Sequence, residues 1–231
     1  RHILEPAGAL SLAGAKKYLA QHELKGKNVV AITSGANMNF DRLRFVSERA
    51  DVGEHKEAVI SVTLPEVKGS FKHLCAAVGN RNVTEFNYRI SDPEIAHVFV
   101  GVQISNLAEK EKFIHQLERK KFTVYDLSDD DLAKTHLRYM VGGHSNLAVN
   151  EVLYRFEFPE RPGALSRFLN AMNPEWNISL FHYRNMGADF GRVLVGIQVP
   201  PSDKKLFKEF LEHVGYPYVN ETDNPAYRLF L

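Results

Sequence analysis

The 231-residue chain has little of what marks several common protein classes. A single cysteine, Cys75, excludes an internal disulfide and is typical of a reducing compartment. No apolar run approaches the roughly 20 residues that a membrane-spanning helix needs. The net charge is +1, the pI is about 8.0, and the lysines and arginines are scattered. A nucleic-acid or membrane partner is therefore not indicated.

Motifs for metal binding and for several kinds of catalysis are also missing. The ten histidines show neither H-x-H nor H-E-x-x-H spacing and have no cysteine pair beside them, so we expect no metal site. There is no P-loop, no G-x-G-x-x-G loop and no G-x-S-x-G elbow. Cys75 lies in a helix-like stretch without an activating motif, which favours a buried apolar role over a catalytic thiol.

What the sequence does contain is a pattern that occurs twice. Three blocks recur in the same order, and equivalent positions stay 94 or 95 residues apart. LPEVKGSF at 64–71 recurs as FPERPGAL at 158–165, NVTEFNYR at 82–89 as NISLFHYR at 177–184, and VFVGVQI at 98–104 as VLVGIQV at 193–199. One order at one spacing indicates two related modules in tandem behind an unrelated segment.

Each module has the same predicted order of elements, β-α-β-β-α-β, so the predicted fold class is α+β with two tandem ferredoxin-like modules. The first has predicted strands over 58–64, 82–90, 97–104 and 122–127 and helices over 69–78 and 109–119. The second has predicted strands over 153–158, 177–184, 192–199 and 216–220 and helices over 164–172 and 204–214. A helical piece at 129–140 and a glycine-rich linker at 142–146 join them.

The segment in front of the modules has a different pattern. Residues 8–22 are predicted to form a helix, the β-branched run 28–33 a buried strand, and 40–49 a second helix. About 50 residues of this kind cannot cover both faces of a sheet, and the chain starts without a methionine or a signal peptide. We expect residues 1–54 to be the C-terminal edge of a larger α/β domain, followed by modules at 55–146 and 147–231.

The repeated Pro-Glu-x-x-Gly turn leads from the first strand into the first helix of each module. Gly69 and Gly163 stand where the backbone must turn sharply, and the helix N-terminus behind each glycine favours a carboxylate or phosphate. A plain structural turn explains the same glycines, because every helix has an N-terminus. The sequence leaves both interpretations open.

The second strand of each module alternates aromatic and polar residues, Phe86/Tyr88 against Asn87/Arg89 and Phe181/Tyr183 against His182/Arg184. One interpretation is a set of core aromatics with solvated polar neighbours. The other is a binding site, in which Asn82 or Asn177 at the strand's start faces the neighbouring turn. A tyrosine hydroxyl and an arginine would then complete a site for a polar molecule of amino-acid size.

At these residues the chain resembles the biosynthetic threonine dehydratases (threonine ammonia-lyases) of isoleucine synthesis. EPAGAL at 5–10 resembles the family's E-P-[SA]-G-A element, and SGANMN at 34–39 resembles its S-G-A-N loop. NISLFHYR at 177–184 is similar to a highly specific family string. The resemblance runs from residue 1 to 231, and the paired modules resemble the family's two ACT-like regulatory subdomains.

The resemblance implies a fold-type II lyase that uses pyridoxal phosphate to eliminate water from L-threonine, giving 2-oxobutanoate and ammonia. Ser34 matches the serine that meets the cofactor's pyridine nitrogen, although a turn or a helix cap explains it too. Glu5 matches a glutamate beside the active site. The Schiff-base lysine and the phosphate loop of the family have no match here, so we expect an incomplete cofactor site and no dehydratase activity from this chain alone.

The resemblance also implies regulation in which L-isoleucine inhibits and L-valine counteracts the inhibition. Residue matching assigns the effector response to Tyr88, Tyr183, Arg184 and Arg138, although Arg138 could instead be a surface cation near a helix end. A cytoplasmic homotetramer is implied, or a plastid one in a plant. We expect side-by-side modules with effector sites at their boundary that move against residues 1–54.

Two other functions remain open from the sequence. The chain could be a stand-alone amino-acid sensor without catalysis, or both modules could serve only assembly, since a fold does not define a function. Residues 1–54 favour the regulatory part of an enzyme, because a free sensor has no use for a cofactor-contacting loop. Behaviour independent of any ligand would favour assembly.

Overall fold

Eight strands form one antiparallel sheet in the second of the chain's two units, Val52–Leu231; the first unit is Arg1–Asp51. The structure is a computed structural model that describes residues 4–35, 43, 46, 56–161, 163–185 and 190–231. None of the helices in these ranges has the length and apolarity to cross a membrane.

The first unit contains helix α1 (Pro6–Gln21), which confirms the helix predicted there. It begins with a proline at its first position, where the missing N–H costs nothing, after an extended Glu5. The buried strand predicted at 28–33 is wrong: the segment has no regular structure, and Val30 is 91% exposed. A strand needs a partner for its backbone groups, and the described part of this unit contains none. The helix predicted at 40–49 lies outside the described residues, except that Leu43 and Val46 are helical.

The second unit follows the predicted order of elements in both modules. Its strands are β1 (Glu57–Pro65), β2 (Val83–Arg89), β3 (Ile95–Gln103), β4 (Thr123–Asp126), β5 (Glu151–Pro159), β6 (Asn177–Arg184), β7 (Phe190–Gln198) and β8 (Tyr218–Asn220). Its α-helices are α2 (Ser70–Val78), α3 (Leu107–Arg119), α4 (Asp131–Thr135), α5 (Ala164–Ala171), α6 (Lys204–Val214) and α7 (Pro225–Phe230), with 3-10 turns at Leu137–Tyr139 and Pro201–Asp203.

The two modules lie side by side, as predicted, because they share one sheet of order β4-β1-β3-β2-β6-β7-β5-β8. Strands β2 and β6 pair antiparallel at the boundary, with Phe86 opposite Tyr183 and Tyr88 opposite Phe181. Each of these two strands carries a bulge near its start, where the register against its own module shifts. The repeat in the sequence therefore becomes a repeat in the sheet.

The main core lies on one face of the sheet, under helices α2, α3, α5 and α6. Phe71 and Leu74 from α2 join it, and so do the aromatic residues of β2 and β6. The predicted division of those strands into an aromatic face and a polar face is therefore confirmed. The helices are short but amphipathic, so one side of each packs against the strands while the other meets solvent.

The second face of the sheet is covered by irregular chain instead of long helices. Ser128, in the segment that follows β4, exchanges hydrogen bonds with the backbone of Val59. The C-terminal segment covers the other module, where Tyr227 donates to Glu151 over 2.6 Å. Helix α7 in this segment was not predicted, because its six residues are too few for a periodic pattern.

Gly69 and Gly163 stand immediately before α2 and α5 in the left-handed region, with φ of 87° and 90°. A side chain at such a φ costs roughly 1–2 kcal/mol. The sharp turn predicted for the Pro-Glu-x-x-Gly motif is confirmed.

Replacing Gly163 with alanine should lower the free energy of unfolding by about 1–2 kcal/mol, since no L-residue adopts this φ without strain. Chemical denaturation of the chain measures this change. Gly143→Ala is the matched control, because a Cβ there meets nothing within 4 Å and its φ is not positive. Equal unfolding free energies for the two variants would contradict the assignment of strain to Gly163.

Candidate functional site

A cavity of about 340 Å³ lies at the boundary between the modules. One wall comes from the end of α2 and the start of β2 in the first module, and includes Asn82 and Phe86. The other wall is the Pro-Glu-x-x-Gly turn and the first turn of α5 in the second module, with Tyr183 beside it. The volume is near the lower end of the roughly 300–1,000 Å³ of small-molecule sites, which suits a ligand of amino-acid size.

The polar side of this boundary cavity is built on Glu160. The hydroxyl of Tyr183 donates to both carboxylate oxygens of Glu160 over 2.9 Å. Burial raises the pKa of Glu160, and the hydrogen bond from Tyr183 lowers it again in part. Burial, followed by the nearby Glu160, raises the pKa of Tyr183, so the hydroxyl keeps its proton and acts as a donor. The result is a positioned carboxylate that suits a ligand cation.

Two further polar groups face the cavity. The Asn82 side-chain amide donates to Oε1 of Gln103 over 2.9 Å, which holds the amide at the start of β2. The first turn of α5, from Gly163 to Ser166, lines the opposite wall. The first N–H groups of a helix lack intrahelical partners, and that end carries partial positive charge. A carboxylate of the ligand would find donors in this turn, which lies on the same wall as Glu160.

Apolar residues of both modules also line the cavity, namely Cys75, Phe86, Phe158, Phe181 and Val193. Asn80, Arg81 and Arg161 complete its polar lining. Burial raises the pKa of the Cys75 thiol, so it stays neutral and adds to the apolar surface. A cavity that combines apolar residues with a carboxylate and with cationic and N–H donors can hold an aliphatic amino acid.

A second boundary site lies on the other side of the β2–β6 pair. It contains the residues that correspond to Tyr183, Glu160, Asn82 and Gly163 in the internal repeat. Tyr88 donates to Glu66 as Tyr183 donates to Glu160. Here, however, the Asn177 amide also donates to Glu66 across the modules over 3.1 Å. Gly69 opens the adjoining helix.

Arg138 and Arg184 lie on the second face of the sheet, whereas the cavity and the Tyr88–Glu66 contact lie on the helix face. The Arg138 guanidinium donates to Glu85 over 2.9 Å and to Glu57 over 2.7 Å, and all three side chains are buried. Burial alone would lower the pKa of Arg138, but the two carboxylates outweigh it and raise that pKa. Arg184 stands opposite Glu85 in the strand register and is 8% exposed.

The structure thus brings together Asn82, Gly163 and Tyr183 at the cavity, and Tyr88, Gly69 and Asn177 at the other boundary. Arg138 contributes as a buried partner of two glutamates and not as a surface cation, because the 3-10 turn that carries it packs on the sheet. The role of these residues in effector response stays a prediction.

Glu66 and Glu160 were not selected as site residues from the sequence, although both stand in the repeated Pro-Glu turn. The signal was available, since each copy carries a tyrosine 22 or 23 residues later that becomes its hydrogen-bond donor. Only the fold shows that the pair meets, because the strand and the turn are far apart in sequence.

In the first unit, Glu5 lies against the Ser34–Gly35 turn. A Cβ on Gly35 would lie 1.5 Å from the Glu5 carboxylate, so only glycine, at its φ of +83°, admits this approach. A Cβ on Gly8 would likewise come within 3.0 Å of the Ser34 carbonyl oxygen. In the described ranges, no group of three His, Cys, Asp or Glu side chains is placed to hold a metal ion.

Two βαββαβ modules that share one sheet, with an amino-acid-sized cavity at their boundary, define a pair of ACT-like regulatory subdomains. The model of the family described as the C-terminal regulatory domain of threonine dehydratase matches residues 48–137 and again 142–231, and the chain belongs to this family. The two matches correspond to the two modules.

Relatives in several kingdoms extend the similarity over the whole chain. The L-threonine dehydratase biosynthetic IlvA of Burkholderia multivorans is 60% identical over 231 residues, covering 100% of this chain and 46% of that protein. The Escherichia coli protein of the same name is 51% identical, covering 100% of this chain and 45% of that protein. The threonine dehydratase 1 biosynthetic, chloroplastic, of Solanum lycopersicum is 52% identical, covering 100% of this chain and 38% of that protein. The chain spans less than half the length of each.

Replacing Arg138 with alanine should lower the free energy of unfolding by about 3–5 kcal/mol at neutral pH, because two buried carboxylates lose their partner. The loss should shrink on acidification. Burial raises the pKa of Glu85 in the folded state, so folding favours the protonated form, and stability falls as the pH rises above the ordinary pKa of glutamate.

Urea titrations at several pH values measure this effect. Arg155→Ala is the control, since its bridge to Glu221 is 3.0 Å long but the arginine side chain is 43% exposed. An exposed pair of this kind contributes about 1 kcal/mol or less. If Arg138→Ala cost no more than Arg155→Ala, the buried ion cluster would not support the sheet as described.

Proposed function

We propose that this chain is the amino-acid-sensing part of a pyridoxal-phosphate-dependent L-threonine dehydratase of isoleucine biosynthesis. L-Isoleucine is the inhibitory ligand and L-valine counteracts it. The observation that carries the proposal is the boundary cavity, in which Tyr183 holds the Glu160 carboxylate on the wall that also carries the first turn of α5. Membership in the regulatory-domain family supports it.

The cavity suits a zwitterionic aliphatic ligand. Glu160 accepts hydrogen bonds from the ligand ammonium, and the N–H groups at the start of α5 donate to the ligand carboxylate. The aliphatic side chain then lies against Phe86, Phe181 and Val193. Because the walls come from different modules, the ligand favours one relative arrangement of the modules. A ligand shifts an equilibrium only by its differential affinity for the two states.

The catalytic part of the proposal rests on Ser34 and Glu5. The Ser34–Gly35 turn and Glu5 are in contact, as a pair of groups beside one bound cofactor would be. A serine hydroxyl would hydrogen-bond a pyridine nitrogen, and pyridoxal phosphate would supply an electron sink for elimination. These residues by themselves do not fit the whole group, since no lysine of this chain stands in a Schiff-base context. We derive no catalytic step from them.

The proposal includes a homotetrameric parent enzyme in the cytoplasm, or in the plastid for a plant protein. The names of the relatives support the enzyme class and, in Solanum lycopersicum, the chloroplast. L-Threonine would be the substrate of that parent enzyme.

Isothermal calorimetry of the chain with L-isoleucine tests the sensing function. We expect saturable binding with which L-valine competes. Tyr183→Phe should weaken it roughly 3- to 10-fold, because one hydrogen bond that positions Glu160 is lost. Tyr125→Phe is the control, since that tyrosine is 70% exposed on β4. Absence of binding, or equal affinity in both variants, would refute the assignment of this cavity.

The affinity for isoleucine should fall as the pH is lowered from 7 toward 5. Burial raises the pKa of Glu160, so this carboxylate begins to protonate at a higher pH than an exposed glutamate and then loses the negative charge that attracts the ligand ammonium. Among the described residues that line the cavity there is no histidine to produce the same effect. The dependence should disappear in Glu160→Gln, measured by calorimetry across the same range. A slope that persists in Glu160→Gln would assign it to another group.

A further inference from the structure

We propose that residues 221–231 form a releasable strap on the second face of the sheet, and that docking of this strap favours the arrangement of the modules that binds the effector. Residues 127–139 form the corresponding strap of the first module, which stays docked. The link to the effector rests on the proposed function, whereas the release of the strap does not.

The internal repeat continues into the two straps, with equivalent positions 94 residues apart. Thr222 exchanges hydrogen bonds with the backbone of Leu153, as Ser128 does with its strand in the first module. The side chains of Asp130 and Asn224 then cap a short helix, α4 in the first strap and α7 in the second. The two straps are therefore repeats of one element, and the differences between them can be compared position by position.

The first strap is anchored by a buried charge. Its residues Ser128, Ala133 and Arg138 are buried. The Arg138 guanidinium pairs with Glu57 and Glu85, whose side chains are 7% and 0% exposed. Release of this strap would leave two buried carboxylates without their cation, which is strongly destabilising.

The second strap can leave without removing the cation from a buried carboxylate. None of the residues 221–231, all of which the structure describes, is buried. The Tyr227 hydroxyl donates to Oε2 of Glu151 over 2.6 Å, and the carbonyl oxygen of Leu231 accepts from Arg89 over 2.5 Å. When these two bonds break, Glu151 still accepts from Arg89 and from Ser179.

The other contacts of the second strap are weak. Its ion pair from Arg155 to Glu221 is 3.0 Å long, but the arginine side chain is 43% exposed, so water screens the pair. Leu229 and Phe230 of α7 are 67% and 70% exposed, so this helix buries little apolar surface. Segments with few buried apolar contacts open locally at a small cost in free energy. The second strap is therefore the one that opens.

Arg89 connects the second strap to the boundary between the modules. It follows Tyr88 on β2, and its guanidinium donates to the Gly143 carbonyl of the linker over 2.9 Å, to Glu151 of β5 and to Leu231. The strap consequently docks on groups from both modules. The cavity on the helix face also takes its walls from both modules. Two events that favour the same arrangement strengthen each other by the same factor.

Hydrogen exchange at a matched pair of amides, followed by NMR, tests the release of the strap. The Lys134 amide donates to the Asp130 carbonyl over 3.0 Å, and the Arg228 amide donates to the Asn224 carbonyl over 3.2 Å, at equivalent positions of α4 and α7. After correction for intrinsic rates, we expect the Arg228 amide of the ligand-free chain to exchange at least about tenfold faster than the Lys134 amide. Equal protection of the two amides overturns the proposal.

Tyr227→Phe removes one hydrogen bond of the second strap and none of the first. It should speed exchange at Arg228 roughly 3- to 10-fold and leave Lys134 unchanged. Tyr125→Phe is the matched control, since this tyrosine is 70% exposed on β4, and it should change neither amide. If Tyr227→Phe alters neither amide or both equally, the strap is not held as proposed.

The link to the effector is tested with the same amide. Saturating L-isoleucine should slow exchange at Arg228 by about threefold or more, and Tyr227→Phe should weaken isoleucine binding in calorimetry, because linkage is reciprocal. Isoleucine that binds without changing exchange at Arg228 overturns the link. Absence of isoleucine binding rejects the sensing function alone, because faster exchange at Arg228 than at Lys134 still supports a releasable strap.

Discussion

The pairing of β2 with β6 is the interaction on which the rest of the second unit depends. In either module alone, this strand would be a sheet edge with unsatisfied backbone groups, which proteins cover or pair. Pairing satisfies them and makes one sheet from two modules. It also sets Phe86 opposite Tyr183 and Tyr88 opposite Phe181, so aromatic surface is buried where the modules meet. Each turn of one module consequently lies beside the strand start of the other.

The boundary is constrained differently on its two faces. On the helix face the modules meet through side chains around the cavity, with Glu160 and Tyr183 at its polar side. On the second face Arg89 of the first module donates to Glu151 of the second over 2.5 Å, and that glutamate also accepts from Ser179 and Tyr227. Buried ion pairs are costly to break once formed. A ligand in the cavity therefore acts on modules that the second face already holds in register.

Much of the fold could be predicted because the chain repeats itself. A shared pattern of strands and helices in both copies reduced the number of possible assignments, and Asn177–Arg184 was predicted to the residue. The strand predicted at 28–33 is wrong for a physical reason. β-branched residues favour extended backbone, but a strand forms only when it pairs with another strand. Helix α7 has an Asn224 cap and a proline start, yet it is shorter than the window in which periodicity can be recognised.

The site was less predictable, since its properties come from contacts between modules. Tyr183, Asn82 and Gly163 were selected because they recur, and the same recurrence hides the difference between Phe71 and Leu165. Whether a phenylalanine packs across the boundary between the modules or only within its own module depends on which strand lies opposite it in the fold. Likewise Arg138 has no partner close in sequence; Glu57 and Glu85 are 81 and 53 residues away.

A crystal structure of the chain with L-isoleucine tests the central claim most directly. We predict a ligand whose ammonium lies within hydrogen-bond distance of Glu160, whose carboxylate faces the start of α5, and whose side chain contacts Phe86 and Phe181. A ligand bound away from the boundary between the modules would contradict this account.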